Sequence, residues 1–452
     1  MAHGAVDKLD QKKSMLRPSS LLASDFREEP YWWNVARPDV LSVVAVDRTY
    51  DVVIVGAGLT GLRAAIDLAR AGMKVVIFDV EDAGFGASRR NAGYLGRSLK
   101  KSYSVLERTH GTNFARRVYG ELNAALETTL EFISAERIEC YANRVGRFIA
   151  ATSAPHLARL VADHRGMKDA LGFDYRIVPA EDVKEEMGTG VYFGGIVVPD
   201  HASLHPGLYH KGLLNIALAA GVAVSTRTNV LSIKRGGPAR FRVMTSAGPV
   251  DAATVVITTN GYTPRHMRWC ARRLIPFTGY MAATEVLAAD LLAELLPNRR
   301  TAIDSNINTD FFRLAPDEPR LLFGGSAGAA LRDTEAIAER MHSILIRVFP
   351  QLREARLSAI WSGKCAATFD MMPHMGSDDG LWYGMGYNFA GVPMGSYFGM
   401  KIARGILGQE TETSIFAEMR FRTMPFYDGT PWFVPMAMRV FDWQDRWIAS
   451  RR

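Results

Sequence analysis

Cysteine is nearly absent. Cys140, Cys270 and Cys365 are the only three in 452 residues, with no CxxC pair and no histidine cluster at metal-ligand spacing. A disulfide framework and a zinc site are therefore both excluded as organising principles. Long apolar runs are missing as well, since nothing approaches the eighteen or more residues that a membrane span requires. The first fifty residues are charged and carry Trp32 and Trp33, with no apolar core ahead of a small-residue cleavage site, so a cytoplasmic protein is expected. Internal repeats and low-complexity tracts are absent too. The charge excess is small, +7, and a solvated basic surface accounts for it as readily as attraction of an anionic substrate. Basic residues are not gathered with aromatics on one element of the body, so no nucleic-acid partner is expected.

What is present is a large apolar fraction, 48%, enough to build the cores of two domains. Asp51-Val52-Val53-Ile54-Val55 is short, continuous and β-branched, as in a strand buried on both faces of a parallel sheet. The turn Gly56-Ala57-Gly58-Leu59-Thr60-Gly61 follows at once. Leu62, Ala65, Ile66 and Ala69 then recur at helical spacing up to Gly72, and Val75–Phe78 reads as a second buried strand ending at Asp79. This is a βαβ unit.

Further along, helices are expected over 116–137 and 156–171. Strands are expected at 222–226, 240–245, 254–259, 271–287, 310–325 and 381–383. A helix opens at Pro393 and closes at Gly408. A nucleotide-binding unit at the N-terminus, a returning strand near 255 and a strand–helix near 381–408 imply a discontinuous first domain. The expected division is a leader over 1–47, a dinucleotide domain from 48–115, 195–265 and 355–415, a substrate domain from 116–194 and 266–354, and an aromatic, basic tail over 416–452. The fold class is α/β: a two-domain chain with a discontinuous Rossmann-like domain and a second domain on a mixed β-sheet.

The glycine spacing alone is weak, but here it leaves a strand, opens a helix and precedes Asp79 by eighteen residues from Gly61. Gly56 allows the tight turn, Gly58 lets backbone N–H groups reach a pyrophosphate, and Gly61 allows close helix–strand packing. The helix N-terminus adds partial positive charge, and Asp79 is placed for ribose hydroxyls. The pattern does not separate NAD from FAD.

The next segment does. Gly84-Phe85-Gly86-Ala87-Ser88-Arg89-Arg90-Asn91-Ala92-Gly93 resembles the flavin-contacting loop of the D-amino-acid-oxidase-type flavoenzymes, in the branch of γ-glutamylputrescine oxidoreductase, sarcosine oxidase and glycine oxidase. Arg89 and Ala92 stand where that loop usually has glycine. Pro30-Tyr31-Trp32-Trp33, Asn260-Gly261-Tyr262, Ile275–Tyr280, Leu322–Gly325, Gly386–Val392 and the tail resemble the same family in the same order.

The resemblance implies non-covalent FAD, with Cys365 out of register with the position that links flavin in covalent relatives. It implies cofactor contacts from Gly56, Gly58, Leu59, Thr60, Gly61, Asp79, Ala87, Ser88, Arg89, Asn91, Gly93, Val230, Asn260, Gly261, Gly386, Gly391 and Val392. Tyr280, Tyr387 and Asn388 become the substrate-side candidates. The implied reaction oxidises the C–N bond of a small-molecule amine or amino acid to an imine that hydrolyses. The flavin is then reoxidised by O2 or, in the alternative, by a quinone or other carrier, because Gly325–Gly328 lacks the lysine that sarcosine oxidases place beside the ring. A substrate carboxylate is expected, with Arg144, Arg147 and Arg313 as candidate partners. A basic, non-catalytic binding protein is the reading from another class. The tail, with Trp432, Phe433, Phe441, Trp443 and Trp447, is expected to pack on the body or a second subunit rather than on a membrane.

Overall fold

The computed structural model describes residues 21–41, 47–236, 240–329, 331 and 333–450. The expected irregular leader over 1–20 and 42–46 lies outside these residues. Two large sheets organise the chain. In the first, Gly248–Ile257, Thr49–Val55, Val75–Phe78 and Ala223–Ser225 run parallel, and Leu381–Met385 extends the parallel set from the end of Gly248–Ile257. The strands Val230–Arg235 and Phe241–Thr245 complete one edge as antiparallel ribbons.

Alternation along Thr49–Val55 explains its unbroken apolar sequence. Val52 and Ile54 face one core, shared with Leu62, Ala65 and Ile66 of the helix Leu59–Arg70, while Val53 and Val55 face another, shared with Phe78 and Val255. Both faces of the strand are buried, so both side-chain sets must be apolar.

The second sheet has nine strands, in the order Leu22–Arg27, Leu357–Thr368, Leu274–Thr284, Leu321–Gly325, Phe311–Leu314, Thr301–Asp304, Arg147–Ala150, Gly195–Val198 and Arg176–Val178. One face packs Tyr280, Ala282, Phe312 and Phe323 against the helix Thr334–Val348 through Met341, Ile344 and Leu345. The other face presents Met281, Ala283, Leu322 and Trp361, which pack with Tyr31, Trp32 and Trp33. The chain is thus a two-domain α/β protein, and the aromatic leader is wedged onto the sheet face that looks toward the first domain.

Several expectations shift. The stretch 310–325 is a hairpin rather than one strand, because Pro316 and Pro319 bracket Asp317-Glu318 and Pro cannot donate to a ladder. Leu357–Thr368 and Gly195–Val198, expected with the dinucleotide sheet, are strands of the nine-stranded sheet. Leu22–Arg27, within the expected leader, pairs parallel with Leu357–Thr368 at the edge. The helix Thr112–Ala135, expected in the substrate domain, buries Val118, Leu122 and Leu126 in the core beneath the glycine-rich turn. Its apolar stripe matches that core, and helical periodicity alone does not name the partner. Among the described residues no helix is long and apolar enough to cross a membrane.

The helix Gly391–Ile406 lies against Leu59–Arg70 through glycines. A Cβ on Gly399 would stand 2.5 Å from the Thr60 carbonyl oxygen and 2.8 Å from the Arg63 Cβ, and one on Gly395 would stand 3.2 Å from Thr60 Oγ1. Backbone cannot step aside as a flexible side chain can. Gly399→Val is expected to lower stability by about 1–3 kcal/mol, read as a lower urea midpoint with an unchanged m-value, whereas an unchanged midpoint would contradict this packing.

Candidate active site and cofactor cradle

The turn between Val55 and Leu59 is built as its sequence requires. Gly56 has φ +109°, a region that favours glycine, and a Cβ on Gly61 would lie 2.1 Å from the Gly56 carbonyl oxygen. Gly58 differs, since its Cβ would meet only Ser88 Oγ, at 3.0 Å. That position looks into a cavity of about 1210 Å³. Leu59 N–H donates to Ser88 Oγ (3.2 Å), Ala57 N–H to Asp79 Oδ2 (2.8 Å) and Glu81 N–H to Asp79 Oδ1 (3.0 Å). Burial pushes the Asp79 carboxyl above the usual carboxylate range, and the two N–H donors oppose that shift.

The loop 84–93 is held from outside the cavity. Arg89 is fully buried and does not line the cavity, so its expected cofactor contact is corrected: the guanidinium turns away. Its Nε donates to His210 Nδ1 (2.9 Å), NH1 to the carbonyls of Ala36 (3.3 Å) and Arg37 (2.5 Å), and NH2 to Asp39 (2.5 Å). Because Nδ1 accepts, the neutral imidazole carries its proton on Nε2, which donates to the Ala57 carbonyl at 2.7 Å. Burial and the Arg89 charge push His210 down to about 3, so it is neutral at pH 7.

Asn91 pins the loop to itself, donating to the Ala87 and Ser88 carbonyls and accepting from Gly93 N–H. Trp32 and Trp361 indoles donate to the Asn91 and Arg90 carbonyls, and Arg313 to those of Ala92 and Leu204. Gly93 packs against the Leu204 carbonyl rather than lining the cavity.

Two further turns close over the same space. Asn260, with φ +42°, accepts from Gly386 N–H at 2.9 Å. A Cβ on Gly261 would strike the Cys365 carbonyl at 2.7 Å and one on Gly386 the Thr368 methyl at 2.3 Å, so both glycines serve close packing and neither lines the cavity. Gly391 and Val392 do line it, at the start of a helix whose N-cap, Ala390, brings no side-chain acceptor. Ala87, Thr60 and Val230 also line it, and Val230 follows Thr228, whose N–H donates to the Asp79 carbonyl (2.7 Å).

The three substrate-side candidates all line the cavity, and each spends its polar group on the protein. Tyr280 alternates with Met281, so its ring enters the core under Thr334–Val348 and its hydroxyl donates to the Ala329 carbonyl (2.8 Å). Gly279 and Met281 line the cavity beside it. The Tyr387 hydroxyl meets Thr60 Oγ1 (2.6 Å) and the Gly384 carbonyl (3.0 Å). Asn388 accepts from Thr368 N–H and donates to the Gly386 carbonyl, fixing its own turn with φ +46°. Of the candidate carboxylate partners, Arg144 is on the surface with Glu127 and Arg313 is spent on loop carbonyls; Arg147 lines the cavity. His205 caps the helix Pro206–Ala219 and His374 meets Asp370 (2.9 Å), both away from the cavity.

Cys365 lines the cavity as a thiol that burial pushes up to about 11. The tail packs partly on the body: Phe433, Val434 and Phe441 line the cavity and Met438 seats against Gly328, while Trp432, Trp443 and Trp447 are exposed. His210, 121 residues from Arg89, was not legible in sequence. Met281 was, had the register of Leu274–Thr284 against Trp361 been known.

The arrangement defines a class: a Rossmann-type dinucleotide protein whose cavity runs from the phosphate turn to the face of a second, mixed sheet. The sequence profile of the family "FAD dependent oxidoreductase" matches residues 51–404, and the chain belongs to that family, the DAO family. The chain is 29% identical over 403 residues to gamma-glutamylputrescine oxidoreductase of Escherichia coli K12, covering 88% of this chain and 93% of that one. It superposes on the crystal structure of glycine oxidase from Geobacillus kaustophilus with a TM-score of 0.69 at 21% identity, covering 83% of this chain and 99% of that one. Iminodiacetate oxidase from Chelativorans sp. gives 0.64 at 22%, covering 81% and 98%. The protein is an FAD-dependent oxidoreductase.

The buried imidazoles carry a stability consequence. His205 and His210 are both pushed from 6.5 down to about 3, chiefly by burial. The unfolded chain binds these protons near pH 6.5 and the folded chain does not, so their contribution is complete above that pH and is lost as pH falls toward 3. Each contributes a slope of about 1.4 kcal/mol per pH unit. Urea midpoints between pH 7 and 5 are expected to fall, with His210→Gln flattening the slope by about one proton; parallel slopes would contradict a neutral buried His210.

Proposed function

We propose that the cavity holds FAD non-covalently along the glycine-rich turn and oxidises the C–N bond of a primary or secondary amine or amino acid to an imine, with O2 as the acceptor. The observation that carries this reading is continuity: one cavity joins Gly58, Asp79 and Ser88 to Gly391 and Met281. Its volume exceeds that usual for a single small ligand and suits a dinucleotide with a substrate beside it.

The residues fit the cofactor. Gly58 leaves open space where a pyrophosphate would meet the N-terminus of the helix Leu59–Arg70. Asp79 retains acceptor capacity toward a ribose, Ala87, Ser88 and Asn91 offer a narrow backbone loop, and Val230 and Asn260 flank the adenosine and ring ends. The uncapped helix start at Gly391 and Val392 suits the electron-rich pyrimidine edge. Bound there, FAD supplies a two-electron acceptor for the substrate's α-C–H.

The chain's own part is positioning. Met281, Ile149, Phe277 and Phe389 give the substrate an apolar wall, which excludes water and keeps the amine unprotonated. Tyr280, Tyr387 and Asn388 belong to the same lining, with their polar groups tied to the protein frame. No group is required to remove a proton from carbon. The imine leaves to hydrolyse in water. The similarity to gamma-glutamylputrescine oxidoreductase supports a γ-glutamyl-amine or an N-alkyl amino acid as substrate.

Three measurements test this reading. An amine and amino-acid panel, run in parallel with an oxygen electrode and a redox dye, is expected to show oxygen uptake on amines; turnover only on hydroxy acids, or with dye alone, would contradict it. Gly58→Val is expected to fold yet purify colourless, since only Ser88 Oγ obstructs the new side chain, and Asp79→Ala to weaken flavin binding by about 1–3 kcal/mol. Acid precipitation is expected to leave the yellow in the supernatant, and a yellow pellet that Cys365→Ser turns colourless would show a covalent link.

A further inference from the structure

Most buried arginines in this chain meet a carboxylate: Arg89 meets Asp39, Arg97 meets Asp200 and Arg320 meets Glu318 and Asp25. Arg147 is 2% exposed and meets none. NH1 donates to Ser98 Oγ (2.7 Å), NH2 to the Leu95 carbonyl (3.3 Å) and Nε to Thr301 Oγ1 (3.4 Å), while Tyr94 lies beside the guanidinium at 5.0 Å. These partners are neutral, and a guanidinium has five N–H donors. A buried charge without a counter-ion is costly. Burial lowers this one to about 10, with Arg97 adding to the fall, which leaves it cationic at neutral pH.

The sheet register places this charge. Arg147 pairs with Thr301, and Ala302 with Phe312, so Arg147 and Arg313 stand in one transverse row with Thr301 between them. Arg313 is committed to the carbonyls of the flavin loop and does not line the cavity. Arg147 lies two strand spacings further out, about 10 Å from Arg313 in backbone terms, and does line it.

A second donor stands on the same wall. Arg97 N–H donates to His201 Nε2 (3.2 Å), so the neutral ring carries its proton on Nδ1, and that atom is buried without a partner. Both His201 and Gly96, against which the ring rests, line the cavity.

We propose that Arg147, with Ser98 and Tyr94 beside it, receives a carboxylate carried by the substrate at the end remote from the oxidised C–N bond. This rests on the amine-oxidation reading and deepens it. The loop under the ring occupies the Arg313 position, so an anion at Arg147 belongs to the far end of an extended molecule. A guanidinium fork suits a carboxylate's two oxygens.

The test uses holoenzyme and two independent readouts. Glutarate, which has no C–N bond, is titrated by calorimetry into wild type, Arg147→Lys and Arg147→Met. Expected are saturable binding to wild type, about 10- to 100-fold weaker binding to Arg147→Met, and an intermediate value for the lysine variant. The second readout is kcat/KM on matched amines with and without the distal carboxylate. The wild-type preference for the carboxylated member is expected to collapse toward one in Arg147→Met, with the loss in KM. Flavin content and thermal midpoint report folding, and Ser98→Ala carries the same comparison should the methionine variant not fold. Glutarate binding that is absent or equal in all forms, or equal losses on both amines, overturns the proposal. If glutarate binds through Arg147 while no amine is oxidised, the anion site stands and the amine reading falls. If amines are oxidised without preference, the reverse holds.

Discussion

One guanidinium with no solvent exposure ties together the three segments on which the cradle depends. Arg89 leaves the flavin loop, takes the carbonyls of Ala36 and Arg37 and the carboxylate of Asp39 from the leader, and reaches the phosphate turn through His210 and the Ala57 carbonyl. Removing one member would strand a buried donor or charge, and such losses cost about 3–5 kcal/mol. A glycine at this position would have no side chain to make these bonds. Here the loop is fixed from behind, which leaves its inner backbone free to face the cavity.

The same economy governs the rest of the site. Polar side chains around the cavity mostly satisfy backbone: Asn91 its own loop, Asn260 the Gly386 turn, Asn388 the Thr368 strand, Arg313 the carbonyls of Ala92 and Leu204. The cavity lining also holds two helix starts, apolar side chains and Arg147, whose hydrogen-bond partners are all neutral. The apolar stretch around Met281, Ile149 and Phe277 is suited to orienting a C–H bond in a dry space.

Much of this was legible from residues alone, and the failures share a cause. The βαβ unit showed because a strand buried on both faces must be apolar throughout, and because Gly56, Gly58 and Gly61 each answer a separate steric demand. Tyr280 was named from sequence and lines the cavity, but that its hydroxyl is bound to the Ala329 carbonyl is a property of the folded chain. Arg89 sits in a cofactor-like stretch and spends its guanidinium on the leader and on His210, partners 50 to 121 residues away in sequence. Leu357–Thr368 crossed the expected domain boundary because its apolar run suits either sheet. Arg147 was named as a candidate partner, but its lack of a counter-ion is a property of the folded chain.

The central claim is that a flavin on the glycine-rich turn takes electrons from an amine held against the Met281 face. Anaerobic mixing of the purified yellow protein with a γ-glutamyl-amine tests it most directly, since no external acceptor intervenes. The account predicts stoichiometric bleaching of the flavin's visible absorbance, with release of a carbonyl product and ammonia or an amine. Flavin that stays oxidised with every amine offered, yet bleaches with dithionite, would contradict it.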